Sequence, residues 1–228
     1  MSFLSDFFSL IYPNVCMSCG KPLLHHENCV CSLCLHHLPI TDFHLHKDNP
    51  VAQLFWGKVN LTSAAAYLYF NKGGNVQHLI HQLKYKGQKQ VGSFLGDLYG
   101  ALLKKSQFFN TIDTVIPVPL HPKKQKLRGY NQSGYFAMGL SKSMNVLLDE
   151  STLYRTVASE TQTKKSRYNR WENVSTIFAI KDSDTLAGKH VLLVDDVITT
   201  GSTIEACVNA LSKTPEIKIS VASIATAS

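Results

Sequence analysis

The sequence predicts an α/β protein, a parallel sheet flanked by helices, preceded by a small cysteine-rich module. Three observations predict it. From about residue 45 onward, strand-like and helix-like segments alternate. Among them, KHVLLVDDV (189–197) is a nearly unbroken apolar run, as expected of a central strand covered on both faces. Ahead of them, five of the six cysteines fall between Cys16 and Cys34. The polar stretch TDFHLHKDNP (41–50) is the expected boundary, giving an N-terminal module over 1–45 and a larger domain over 46–228.

The elements follow in order. TSAAAYLYF (62–70) reads as a strand and Gly73-Gly74 as a turn. Val76, Leu79, Ile80 and Leu83 recur at helical spacing, so NVQHLIHQLKY forms an amphipathic helix. VGSFLGDLYGALLKKS (91–106) is a second helix, with Phe94, Leu95, Leu98 and Leu102 on one face. DTVIPVPL (113–120) reads as a buried strand ending in prolines, and NQSGYFAMGLSKSM (131–144) as a helix capped by Asn131. LYRTV (153–157) is a strand and SRYNRWENV a short helical piece. After KHVLLVDDV comes the helix STIEACVNALSK, whose face of Ile204, Cys207, Val208 and Leu211 makes Cys207 a core residue. IKISVASIA closes the sheet, and strand–helix–strand order implies right-handed parallel crossovers.

Composition narrows the class. At 228 residues and 44% hydrophobic, the chain can bury a core without disulfide staples, and disorder is excluded. No apolar run reaches the roughly 18 residues a membrane span needs. The opening MSFLSDFFSLIYPN is short, carries Asp6 and has no positive n-region; it reads as a docking helix rather than a signal peptide. The chain is therefore expected in the cytoplasm with its thiols reduced. Net charge is +7, with the excess concentrated in KYKGQK (84–89), KKQKLR (123–128) and KKSRYNR (164–170). Basic clusters of this kind point to a phosphate-rich ligand or nucleic acid.

Cys16-Met-Ser-Cys19 is followed, after eleven intervening residues, by Cys31-Ser-Leu-Cys34. Two CxxC pairs at this separation can set four thiolates around one tetrahedral zinc. Gly20 suits the turn of the first knuckle, where positive φ is needed; Leu35 stands at the matching position of the second. Cys29 is a spare, and His25, His26, His36 or His37 could replace a ligand. Four protein ligands leave no open position, so the zinc would be structural.

The most informative stretch is Val191-Leu-Leu-Val-Asp195-Asp196-Val-Ile-Thr199-Thr200-Gly201-Ser202-Thr203. An apolar strand runs into two carboxylates, and a hydroxyl-rich loop then opens a helix. Amides at a helix N-terminus converge on one spot and favour an anion. The two acids suit ribose hydroxyls, or a cation carried by a diphosphate, nearby. Gly201 lets the backbone approach closely.

All thirteen positions fit a pattern that resembles the phosphoribosyl-pyrophosphate (PRPP) signature of type I phosphoribosyltransferases. The wider chain resembles the ComF family of competence proteins, including its GntX-like members. The residues that carry this are the paired CxxC, LKYKG (83–87), VIPVPL (115–120), RGYNQ (128–132), and Gln162 with Arg167, Arg170 and Asn173. Cys29 and the second knuckle without Gly depart from the pattern. The resemblance implies a type I phosphoribosyltransferase-like sheet behind an N-terminal zinc ribbon. It implies that Asp195 and Asp196 hold the ribose 2′- and 3′-hydroxyls, and that Thr199, Thr200, Gly201, Ser202 and Thr203 cradle the 5′-phosphate. The loop LHPKKQKLRGYN (120–131) would grip the pyrophosphate through Lys123, Lys124, Lys126 or Arg128. Arg167 and Arg170 would lie in a flap, and Mg²⁺ would arrive with the diphosphate. No hood for a base is readable; Phe70, Tyr85, Tyr130 and Trp171 could stack one, though core packing is the expected use of each.

For function, the resemblance implies handling of incoming single-stranded DNA during natural transformation, on the inner face of the membrane beside the DNA-uptake machinery. The alternative is a phosphoribosyltransferase that moves ribose 5-phosphate from PRPP to an unknown base or amine. A third reading is a PRPP sensor without turnover.

Overall fold

The computed structural model describes residues 14–156 and 177–227. The expectations for the N-terminal docking helix, for SRYNRWENV, for the basic cluster 164–170 and for Gln162, Arg167, Arg170, Trp171 and Asn173 lie outside them.

Two short helices precede the sheet, α1 (Ser32–His36) and α2 (Pro50–Gln53). Asn49 caps the second, its side chain accepting from Val51 and Ala52 N–H, with Pro50 at the first position.

A five-stranded parallel sheet forms the centre. Its strands are β1 (Ser63–Phe70), β2 (Thr114–Pro117), β3 (Leu147–Leu148), β6 (His190–Ile198) and β7 (Lys218–Ala227), in the order β1-β7-β6-β2-β3. β6 and β7 pair from His190↔Lys218 to Ile198↔Thr226, so the apolar run VLLV lies in mid-sheet and is fully buried. Its acidic end, Asp195 and Asp196, emerges at the carboxyl edge, where open α/β sheets bind ligands.

The helices predicted by periodicity form close to their expected limits: α3 (Asn75–Tyr85), α4 (Gln90–Leu103), α6 (Gln132–Met144) and α7 (Ser202–Leu211). Asn131 caps α6, its side chain accepting from Ser133 N–H at 3.2 Å. α4 and α6 pack closely enough that a Cβ at Gly96 would fall 2.3 Å from Phe136 O, and one at Gly139 would fall 2.2 Å from Ser93 O. Gly92, Gly96 and Gly100 recur every four residues, which places them on one face of α4. That face is what lets the two backbones touch and brings the start of α6 under the sheet edge.

One expected strand stands apart from the sheet, and one expected loop is partly helical. LYRTV does not join the parallel sheet: β4 (Leu153–Arg155) pairs antiparallel with β5 (Phe178–Ile180) in a separate ribbon. The turn before it is set by Asp149, whose carboxylate accepts from Ser151 and Thr152 amides. The stretch 120–131, expected as a loop, contains the short helix α5 (Pro122–Arg128). Pro122 stands at its first position and His121 Nδ1 accepts from Lys123 N–H, both good helix starts. Gly129, at φ +77°, ends it.

The polar stretch 41–50 is stitched to β1. Thr41 Oγ1 donates to Ala66 O (2.5 Å), and Asn49 Nδ2 donates to Ala64 O (2.8 Å). Among the described residues, no helix is long and apolar enough to cross a membrane.

Candidate functional site

The cysteine module is built from two different turns. Residues 16–19 form a tight knuckle in which Gly20 N–H donates to Cys16 O (2.8 Å) with Gly20 at φ +73°. Residues 31–34 instead open α1, with Cys31 as its N-cap. Leu35 continues that helix, so no glycine is needed there. The Sγ atoms of Cys16, Cys19, Cys31 and Cys34 all lie within 4.8 Å of one another, and those of Cys19 and Cys31 are 3.9 Å apart. Four thiolates at about 2.3 Å from zinc sit close to 3.8 Å apart, so the donor set fits a metal ion. Cys31 N–H donates to Cys16 Sγ (3.3 Å). Burial raises the Cys16 thiol, and the amides facing it bring it down on balance to about 7. Cys29 and the four nearby histidines are not in the cluster; Cys29 is buried, which pushes its thiol up to about 12. Glu27 braces the loop between the knuckles, accepting from Ser32 N–H (2.6 Å) and Leu24 N–H (2.9 Å). Ser18 O contacts His78 Nδ1 (3.1 Å), docking the module on α3.

The second assembly lies at the carboxyl edge of β6. Ser133 Oγ, in the first turn of α6, donates to Asp195 Oδ1 (2.9 Å), and Asp196 N–H donates to the same oxygen (2.8 Å). Lys84 Nζ, in the last turn of α3, forms an ion pair with Asp196 Oδ1 at 2.7 Å. The two adjacent acids therefore have different surroundings. Burial, then the Asp196 charge, pushes the Asp195 carboxyl up to about 7.

Beyond them the chain turns at Gly201 into α7. Gly201 is the N-cap at φ +77°, and no side chain caps the helix. The first amides of α7 are thus left for an external acceptor. Thr199, Thr200, Ser202 and Thr203 are exposed around them, with Thr200 Oγ1 and Ser202 Oγ 3.0 Å apart. Asp195 and residues 197–204 line one shallow depression. Gly201 meets a further constraint that the sequence does not show: a Cβ there would meet Phe55 Cε1 at 2.7 Å. The buried Phe55 ring supports the loop from beneath, so the glycine answers to packing as well as to φ.

Lys123, Lys124 and Lys126 are exposed on α5. Arg128 donates to Gln132 Oε1 (2.8 Å), and its guanidinium lies 5.4 Å from the Tyr85 ring centre. Tyr130 is buried with its hydroxyl donating to Leu83 O, and Cys207 is fully buried as expected. A roomier cavity of about 410 Å³, lined in part by Lys47, Phe55, Trp56 and Asn60, contains none of residues 195–204.

Lys84, Ser133 and Phe55 carry no role that the sequence reveals. Lys84 falls within the KYKGQK cluster, but nothing in one sequence pairs it with an acid 112 residues away.

Comparison with known proteins bears on the second assembly. The sequence profile of the phosphoribosyl transferase domain matches residues 132–227. The DNA utilization protein YhgH of Shigella flexneri is 29% identical over 216 residues, spanning 86% of this chain and 89% of that protein. Competence protein F of Haemophilus influenzae is 32% identical over 139 residues, spanning 59% of this chain and 61% of that protein. Among solved structures, the glutamine PRPP amidotransferase from B. subtilis complexed with ADP and GMP superposes with a TM-score of 0.43 at 20% identity, covering 62% of this chain and 30% of that one. A relative that runs most of the length of the chain and a transferase profile that begins at α6 point the same way: the chain is similar to DNA utilization and competence proteins, and residues 132–227 carry a phosphoribosyl transferase domain.

Proposed function

We propose that the chain binds PRPP at the edge of β6 and handles single-stranded DNA in natural transformation, on the cytoplasmic side of the uptake machinery. In this reading a four-cysteine zinc module over 1–45 precedes a PRPP-binding domain over 46–228. One observation carries the PRPP half: an uncapped helix N-terminus ringed by four hydroxyl side chains directly follows two partly buried acids on one strand. The amides of α7 and the hydroxyls of Thr199, Thr200, Ser202 and Thr203 hold the 5′-phosphate. Asp195 and Asp196 accept from the ribose diol. The basic segment that carries Lys123, Lys124 and Arg128 takes the pyrophosphate, with Mg²⁺ supplying charge neutralisation when bound. Cys16, Cys19, Cys31 and Cys34 hold a structural zinc. The DNA half rests on the basic clusters and on the names of the two relatives above.

A melting scan tests the first half. Mg·PRPP at a hundredfold excess over Kd stabilises the folded state by roughly 2.7 kcal/mol, which raises Tm by about 5–10 °C in a chain of this size. No shift at millimolar Mg·PRPP refutes the PRPP assignment. Pyrophosphate release with a panel of bases and amines distinguishes binding from turnover.

A further inference from the structure

Two of the basic clusters, about forty residues apart in sequence, meet on one surface. Arg128 of the second cluster lies over the ring of Tyr85 in the first. Lys89 of the first lies 5.2 Å from the ring centre of Tyr130 and 5.5 Å from that of Tyr135, just beyond the second. Residues 49–96 and 114–148, which supply this surface, each contain five Lys or Arg and no Asp or Glu.

The aromatic residues here separate into two kinds. Tyr130 is buried and its hydroxyl is committed to Leu83 O, which makes it a core residue. Tyr85 is 63% exposed although it is a large ring at the end of an amphipathic helix. His81, one turn earlier, stands 5.2 Å from it between ring centres. An exposed ring flanked by a guanidinium and an imidazole, with Lys86 next to it in sequence and Lys89 four residues on, contributes little to the core. It is the composition of a site that stacks unpaired bases and neutralises the backbone between them.

We propose that Tyr85, with His81 and Arg128 beside it and Lys86 and Lys89 at its margin, is the stacking platform for single-stranded DNA. The proposal rests on the DNA reading given above and assigns it a surface. A base stacks on the Tyr85 ring or on the Arg128 plane, and the adjoining phosphates pass over Lys86 and Lys89. The platform borders the proposed PRPP pocket, because Lys84, the neighbour of Tyr85, pairs with Asp196. Duplex DNA offers no free base faces, so the platform selects single strands.

The test is fluorescence anisotropy of a labelled oligo-dT of about 15 nucleotides, long enough to cross a site of this type, titrated with the full chain at about 50 mM salt. Tyr85→Ala weakens binding on the order of tenfold, while Tyr85→Phe, which keeps the ring, stays within about twofold of the parent. Lys86→Ala with Lys89→Ala lowers the slope of log affinity against log salt by about 0.7 for each phosphate no longer neutralised. Tyr85 is exposed, so an unchanged melting curve for Tyr85→Ala verifies that the fold is intact. If Tyr85→Ala binds as tightly as the parent, the platform is wrong and the strand binds elsewhere. If the parent chain binds no oligo-dT at all, the DNA reading falls and the platform with it.

Discussion

Lys84 Nζ lies 2.7 Å from Asp196 Oδ1, joining the last turn of α3 to the carboxyl edge of β6. Both side chains are mostly shielded, at 19% and 13% exposure. The pair neutralises one of two adjacent acids and leaves the other, Asp195, with a hydroxyl and an amide as partners. Removing Lys84 alone strands a partly buried carboxylate. Lys84→Met is expected to cost about 1–2 kcal/mol, between an exposed and a fully buried pair, and to lower Tm by roughly 3–6 °C. Asp196→Asn in the same chain recovers most of that loss. Equal losses in the single and double variants would mean that the pair contributes nothing.

Asp195 gives the apo protein a pH dependence. Its carboxyl holds its proton up to about pH 7 in the folded state, against 3.8 for the ordinary side chain. The folded state therefore binds the proton more tightly than the unfolded one. The stabilisation is fully present below about pH 4 and is lost as pH rises through about 7. Asp195→Asn removes the loss. At pH 8 the variant is expected to be on the order of 1 kcal/mol more stable than the parent, or roughly 2–4 °C in Tm. The difference shrinks as pH falls to 4. A difference that does not change with pH contradicts the assignment.

Gly201 is held by two constraints, a left-handed backbone and the Phe55 ring 2.7 Å from where a Cβ would lie. Gly201→Ala is expected to lower stability by about 1–3 kcal/mol. Phe55→Leu in that background relieves only the steric part, so recovery is incomplete. Melting curves of the two variants measure the split, and full stability of Gly201→Ala would show that the loop is not held this way.

The four-cysteine cluster predicts about one zinc per chain by elemental analysis. Cys16→Ser with Cys19→Ser is expected to lose the metal and to raise hydrogen exchange across 14–38, with β6 still protected. Freshly purified, reduced protein without zinc contradicts the assignment.

Much of this architecture is legible in the sequence because it is local. The spacing of Val76, Leu79, Ile80 and Leu83 gives the limits of α3, and Asn131 marks the start of α6 because its side chain bonds two residues on. The strand–Asp-Asp–loop–helix order places the acids and hydroxyls at one edge because parallel strands all point one way. What the sequence could not supply is non-local. Lys84 and Asp196 are paired only because the connection from β1 to β2 carries the end of α3 to the edge of β6. Gly92, Gly96 and Gly100 read as weak helix residues until α6 is seen against them. α5 is concealed in a basic stretch with too few apolar residues to show a period. The exposure of Tyr85 and the burial of Tyr130, two tyrosines with equal claim in sequence, are decided by tertiary packing.

The most direct measurement of the central claim is a calorimetric titration of the full chain with Mg·PRPP, beside Asp195→Asn with Asp196→Asn and beside ribose 5-phosphate. The parent is expected to bind one PRPP per chain. The double variant binds at least about tenfold more weakly, because two neutral amides replace charge-assisted acceptors of the diol. Ribose 5-phosphate also binds more weakly, because it lacks the diphosphate. Absence of heat with millimolar Mg·PRPP, or a double variant that binds as the parent does, would contradict the claim that the edge of β6 is a PRPP site.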